Sequence, residues 1–198
     1  CSGAGHCLLI CGKASCGGHA VFQKRNLQGL PGRYRAGGAE RRGRMKLLVV
    51  SDVHGDYDAL EQAYRAEKNV GAVIFLGDGI REAERFEAAH GALRVYMVRG
   101  NCDFGSNAPI QGLCAFEAVL FLYTHGHAYG VKGSYLALAE AAQAARADVA
   151  LFGHTHVPFC EEMDGLTLFN PGALIEGQYG VICAEEGKAR LEHRHLMR

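Results

Sequence analysis

The sequence has no long apolar run, and none approaches the roughly 18 residues a membrane-spanning helix needs. Its early Leu8-Leu9-Ile10 run is also shorter than the roughly 7–15 apolar residues of a signal-peptide core. A membrane partner is therefore not expected. Disulfide-like spacing is missing too: Cys102, Cys114, Cys160 and Cys183 are scattered. This argues against a disulfide framework and predicts a reducing, cytoplasmic setting. Beyond residue 45 there is no internal repeat, no low-complexity segment and no excess of positive charge. Residues 45–198 carry thirteen Lys/Arg against twenty Asp/Glu, a net −7. An acidic domain is a poor partner for nucleic acid, whose phosphates call for basic patches.

Positive charge is concentrated at the start. Residues 1–44 carry eight Lys/Arg and one Glu, a net +7, with ten Gly, four Cys and the run Arg41-Arg42-Gly43-Arg44. They show no sustained helical or strand periodicity. Residues 1–44 are therefore expected to be a disordered or artefactual N-terminal extension, with Met45 as the natural start. Two other readings are a metal knot from Cys7, Cys11, Cys16 and His19, whose spacing fits no common zinc pattern, and a basic tail. Residues 45–198 are expected to form one domain. The chain is 198 residues long and 48% hydrophobic, ample for a sizeable core.

What is present is a series of short apolar strands, each ending in glycine and metal-ligating residues. Leu47-Leu48-Val49-Val50 reads as a strand buried on both faces, followed by Ser51-Asp52-Val53-His54-Gly55-Asp56. Asp56 is placed to cap a helix running to about Lys68, with Leu60 and Tyr64 facing inward. Ala72–Leu76 is a second strand, ending in Gly77-Asp78-Gly79, and a helix is expected from about Arg81 to Ala89 with Phe86 as its anchor. Leu93–Val98 is a third, ending in Arg99-Gly100-Asn101-Cys102-Asp103. Strands alternating with helices predict a parallel sheet with short crossovers. Ligands of such sheets sit at the carboxyl ends of the strands, where all three motifs fall.

The second half has a different rhythm. Cys114–Tyr123 reads as one strand, ending in Thr124-His125-Gly126-His127. Ser134 is placed to cap an Ala-rich helix to about Arg146, with Leu138, Ala141, Ala142 and Ala145 as its packing face. Asp148–Phe152 is a strand ending in Gly153-His154-Thr155-His156. Leu166–Phe169, then Asn170-Pro171-Gly172, precede two closing strands near Tyr179–Ala184 and Ala189–His193. A mixed second sheet is expected.

Five strand ends thus deliver Asp52/His54, Asp78, Asn101, His125 and His154/His156. Seven ligand side chains are too many for one first-row ion, so two are expected, with Asp78 as the bridging carboxylate. Mixed nitrogen and oxygen donors suit Mn, Fe, Ni, Co or Zn better than Mg or Ca. Two such ions, about 3.5–4 Å apart, can share a hydroxide and clamp the oxygens of an in-line phosphoryl transfer.

Asp-x-His, Gly-Asp, Gly-Asn-x-Asp, His-Gly-His and Gly-His-Thr-His, in this order, resemble the calcineurin-like metallophosphoesterases. The compact length and Gly-Asn-Cys-Asp are similar to the small bacterial and archaeal phosphodiesterases, which in turn resemble the eukaryotic retromer subunit Vps29. The resemblance covers about Met45 to the C-terminus. It implies an α/β fold, a four-layer α/β/β/α sandwich with two mixed β-sheets. It also implies a dinuclear centre, with manganese the first choice of ion. Asp52, His54, Asp78 and His156 would hold the first ion, and Asp78, Asn101, His125 and His154 the second. The implied activity is hydrolysis of a small phosphodiester, and a homo-oligomer is compatible with it. The alternatives are a phosphomonoesterase or protein phosphatase, and a protein-binding scaffold on the same fold. Where the family usually has Asn-Pro-Gly-Ser, this chain has Ala173. Many relatives carry His after the metal-binding Asn, and that His assists the leaving group; here it is Cys102. A thiol, with a pKa near 8.5, is a poor substitute for imidazolium. Asp103 and His127 are the remaining candidates to supply a proton or to orient ligands, and Arg99 could reach a phosphate.

Overall fold

The computed structural model describes residues 43–197. The readings made on residues 1–42 lie outside the described residues.

Two five-stranded sheets form the centre. The first half builds the parallel part of one of them: β1 (Met45–Val50), α1 (Tyr57–Ala66), β2 (Val70–Phe75), α2 (Ile80–Ala89) and β3 (Arg94–Met97). Both pairings, β1 with β2 and β2 with β3, are parallel. Asp56 caps α1 as its position predicts, its side chain accepting the Ala59 N–H at 2.9 Å. The chain's end returns to this sheet. β9 (Gln178–Glu185) pairs antiparallel with β1, and β10 (Lys188–His195) pairs antiparallel with β9.

The second sheet contains β4 (Gln111–Phe116), β5 (Val119–Thr124), β6 (Val149–Leu151), β7 (Phe159–Met163) and β8 (Leu166–Asn170), in the order β4-β5-β6-β8-β7. It is also mixed, since β5, β6 and β8 run parallel and the two outer strands antiparallel. Helix α3 (Leu136–Ala144) links β5 to β6.

Strand alternation sets the layers. Leu47 and Val49 of β1 and Ile74 of β2 point between the sheets, against Phe121, Val149, Leu151 and Phe169. Leu48, Val50, Val73 and Phe75 point the other way, onto Leu60, Ala63 and Phe86 of the first two helices. Leu122, Ala150 and Leu168 pack instead on Leu138, Ala139 and Ala142 of α3. The result is the expected α/β/β/α sandwich.

Three local expectations are corrected. The single strand read at Cys114–Tyr123 is a hairpin. Glu117 and Ala118 have φ of 48° and 62°, the left-handed pair a two-residue turn requires, without the Asn-Gly that usually announces it. Strand β7 is an additional one, exposed along most of its length and joined to β8 through Asp164-Gly165. The Ala-rich helix begins two residues after Ser134, whose hydroxyl accepts the Leu136 N–H at 3.2 Å. Its buried face contains Ala139 where Ala141 was expected.

Candidate metal centre

The loops after β1, β2, β3, β5 and β6 converge at one end of the two sheets. Backbone hydrogen bonds lock them together: Asp52 N–H to Gly77 O and His54 N–H to Asp78 O, each 3.0 Å, and Gly153 N–H to His125 O at 3.1 Å. The approach is too close for side chains. A Cβ on Gly100 would lie 2.0 Å from Asp78 Oδ1, and one on Gly153 would lie 1.8 Å from Ser51 Oγ.

The ligand-bearing residues themselves are in unusual backbone conformations. Asp52, His54, Asp78, His154 and His156 all have positive φ, between 46° and 67°. For non-glycine residues this costs on the order of 1–3 kcal/mol each, and such strain collects at functional sites. No local sequence pattern signals it.

Asp52 is fully buried. Its Oδ2 accepts from Ser51 Oγ at 2.6 Å and from His154 N–H at 3.1 Å. Its Oδ1 has no hydrogen-bond partner, yet faces His156 Nε2 at 3.2 Å, His54 Nε2 at 3.8 Å and His125 Nε2 at 3.9 Å. Asp78 has the same division of labour. Oδ1 accepts the Cys102 N–H at 2.7 Å, while Oδ2 faces His125 Nε2 at 3.4 Å and His54 Nε2 at 4.0 Å. His125 Nδ1 donates to the Leu76 carbonyl at 2.8 Å, so in the neutral ring Nε2 carries the lone pair. That lone pair points at Asn101 Oδ1, 3.1 Å away, and at Asp78 Oδ2. His54 and His156 approach each other Nε2 to Nε2 at 3.4 Å. Acceptors facing acceptors around an orphaned buried carboxylate oxygen require a cation or extra protons between them. The donor set therefore fits divalent metal.

The side chains resolve into overlapping clusters. Asp52, His54 and His156 form one, and Asp52, Asp78 and His125 another, their ligand atoms within 4.8 Å of one another. Asn101 joins the second through His125. His154 stands slightly apart, its ring centroid 4.9 Å from that of His125. The site is thus a dinuclear-metal-binding centre compatible with phosphoester hydrolysis. The His127 ring lies tilted beside that of His125, their centroids 5.4 Å apart, and its Nδ1 is buried with no hydrogen-bond partner. Arg99 is half-buried, held by its backbone N–H on Pro109 O at 2.9 Å.

Electrostatics follow this packing. Burial pushes the Asp78 carboxyl up, but His125 and the Cys102 N–H outweigh it and hold it well below the ordinary carboxylate range. Burial lowers the His125 imidazole, and its Asp78 and Asp52 neighbours more than reverse that. Burial, reinforced by repulsion from His125, pushes His154 down to about 4 and depresses His127 in the same way.

Asp103 is occupied by backbone. Its Oδ2 accepts from Asp78 N–H at 2.8 Å and Gly100 N–H at 2.7 Å, and its Oδ1 from Gly79 and Ile80 N–H at 2.9 Å each. Three of these donors open helix α2, whose N-terminus favours a negative charge. Asn170 does similar work on the other side. Its Nδ2 donates to Gly153 O and Thr155 Oγ1, both at 3.0 Å, and its Oδ1 accepts the Gly172 N–H at 2.9 Å. It thereby holds the His154–His156 loop. Sequence reading placed Asn170 only in a turn, and it missed Ser51 as the partner of Asp52 and Glu176, whose Oε1 lies 3.7 Å from His156 Nδ1. Asn170-Pro171-Gly172 was the one available signal; Ser51 and Glu176 had none.

The sequence matches the calcineurin-like phosphoesterase superfamily domain over residues 45–184. It is 36% identical over 132 residues to the probable metallophosphoesterase YsnB of Bacillus subtilis, covering 66% of this chain and 75% of that protein. It is 32% identical over 154 residues to the phosphodiesterase YfcE of Escherichia coli, covering 66% of this chain and 79% of that protein. In fold it is similar to a conserved protein of Streptococcus pneumoniae, at a TM-score of 0.63 and 22% identity, over 77% of this chain and 99% of the other. It is also similar to vacuolar protein sorting 29 of Cryptosporidium parvum, at a TM-score of 0.60 and 16% identity, over 78% and 99%. On sequence and architecture together, the chain belongs to the calcineurin-like phosphoesterase superfamily.

Proposed function

We propose that this protein is a phosphodiesterase dependent on two divalent transition-metal ions, with manganese the first choice among Mn, Fe, Co, Ni and Zn. The observation that carries the reading is that two buried carboxylate oxygens, Asp52 Oδ1 and Asp78 Oδ2, each face both His54 and His125. Carboxylate oxygens so placed would serve both halves of a dinuclear centre, with Asp78 as the bridge of this reading. When bound, the ions supply a hydroxide nucleophile and charge stabilisation at the phosphoryl oxygens.

The chain's own residues do the rest. Asp52, His54, Asp78 and His156 would hold one ion, and Asp78, Asn101, His125 and His154 the other. Asp103 and Asn170 act as positioning residues, since their polar atoms are engaged by the loops that carry the ligands. His127 and Arg99 flank the phosphate position. Burial and the neighbouring His125 depress His127, which weakens it as a general acid. With Cys102 where many members of the superfamily carry imidazole, leaving-group protonation is weak. This favours diesters with good leaving groups over unactivated monoesters. Cys102, Cys114 and Cys183 are free thiols, which supports a cytoplasmic setting.

The test compares kcat/KM for an activated aryl phosphodiester with that for the matching monoester on one metal-loaded preparation. Preference for the diester is expected. Preference for the monoester would replace this reading with a phosphomonoesterase. No turnover of either, with both ions bound, would favour the scaffold alternative.

A further inference from the structure

Cys102 has a geometry that goes beyond the absence of an imidazole. Its Sγ, one imidazole nitrogen of His54 and one carboxylate oxygen of Asp78 all lie within 4.8 Å of one another. Its main-chain N–H is tied to Asp78 Oδ1 at 2.7 Å. Asn101 Nδ2 donates to Sγ at 3.2 Å, while burial and the Asp78 carboxylate push the metal-free thiol up. A second observation calls for a cation beside His54. Asp52 Oδ1 is fully buried, lacks any hydrogen-bond partner and lies 3.8 Å from His54 Nε2.

We infer that the Cys102 sulfur is a further ligand of the ion held by Asp52, His54, Asp78 and His156, and that it raises that position's affinity for a thiophilic ion, Zn²⁺ or Co²⁺, relative to Mn²⁺, compared with the same site lacking the sulfur. The inference rests on the dinuclear reading given above. Soft thiolate donors select Zn and related ions, whereas carboxylate and imidazole alone discriminate less. Binding breaks the S–H bond. The proton goes to solvent and the sulfur electron pair forms the bond to the ion, so no oxidant or reductant is needed. A coordinating thiol is deprotonated outright, whatever its value in the free protein. Asn101 and Cys102 are adjacent, so the strand end after β3 reaches both ions: the amide oxygen serves the ion beside His125, the sulfur the ion beside His54. The two halves of the centre then differ in softness, and their preferred ions differ accordingly.

The experiment uses the full chain loaded with cobalt(II), as wild type, Cys102→Ser and Cys102→Ala, with metal content measured on each sample. The wild type is expected to show sulfur-to-cobalt charge-transfer absorption in the near ultraviolet that both variants lack at equal cobalt content. The other cysteines are common to all three proteins and cancel in the difference. In competitive loading, the preference for zinc over manganese should fall about tenfold or more in the variants, at least the loss typical of an outer-shell partner. Zinc should also protect Cys102 from alkylation by iodoacetamide, followed on its own peptide by mass spectrometry. Identical spectra at equal cobalt content, or equal alkylation of Cys102 with and without zinc, would overturn the inference and leave the dinuclear centre standing. A wild type that takes up no metal would overturn both.

Discussion

Replacing Asp103 with asparagine separates a positioning role from a proton-donating one. The carboxylate accepts four backbone N–H groups, two on each oxygen. An asparagine retains one oxygen and presents an NH₂ group to the other two donors. Two hydrogen bonds to a charged acceptor are lost, at roughly 1.5 kcal/mol each on the low side, so a destabilisation of about 3 kcal/mol is expected. For a protein of this size each kcal/mol shifts Tm by about 2–4 °C, giving a fall of about 6–12 °C. The assay is thermal unfolding of the metal-free protein, paired with kcat/KM for aryl and alkyl phosphodiesters below the transition. Activity should fall by the same factor for both substrates, because the displaced parts are the Asp78 and Gly100 backbones. An unchanged Tm, with a loss that grows as the leaving group becomes poorer, would refute this reasoning and make Asp103 the acid.

Asn170→Ala should free the His154–His156 loop from Gly153 and Thr155 and weaken metal affinity about 10–100-fold, as loss of an outer-shell partner does; calorimetric titration with Mn²⁺ measures it, and unchanged affinity would contradict the assigned role. In the metal-free protein His154 should titrate near 4, read from its imidazole proton shifts by NMR. Because its folded value lies below its unfolded one, its contribution to stability is present above about pH 6.5 and is lost as pH falls toward 4; a midpoint above 6 would remove it. A chain beginning at Met45 should keep the Tm and activity of the full chain, since β1 and the family match both begin there; loss of either would show that residues 1–44 contribute to the domain.

Most of the side chains that cluster at the site were legible because each lies just past a buried apolar strand, in a short motif that contains glycine. β1 and β2 announce themselves by continuous runs such as Leu47–Val50, and the chemistry-bearing residues lie just past them. The glycines at 77, 100 and 153 also had a readable purpose, since loops that must touch tolerate no Cβ. What stayed hidden was non-local or conformational. The Glu117-Ala118 turn uses residues that seldom adopt positive φ, so the hairpin read as one strand. Edge strand β7 carries Glu161 and Glu162 on an exposed surface and lacks the apolar signature of the buried strands. Asp103 looked like a candidate acid because its four donors come from two separate loops. Glu176 reaches His156 only once β9 has returned to the first sheet.

The central claim is that Asp78 joins two metal ions in a hydrolytic centre. The most direct measurement is metal stoichiometry together with turnover of an activated aryl phosphodiester, on wild type and Asp78→Asn, after loading with Mn²⁺. The account predicts two ions per wild-type chain, activity abolished by chelation and restored by metal, and an Asp78→Asn variant that loses both metal and turnover. An Asp78→Asn protein that holds two ions and turns over at the wild-type rate would contradict it.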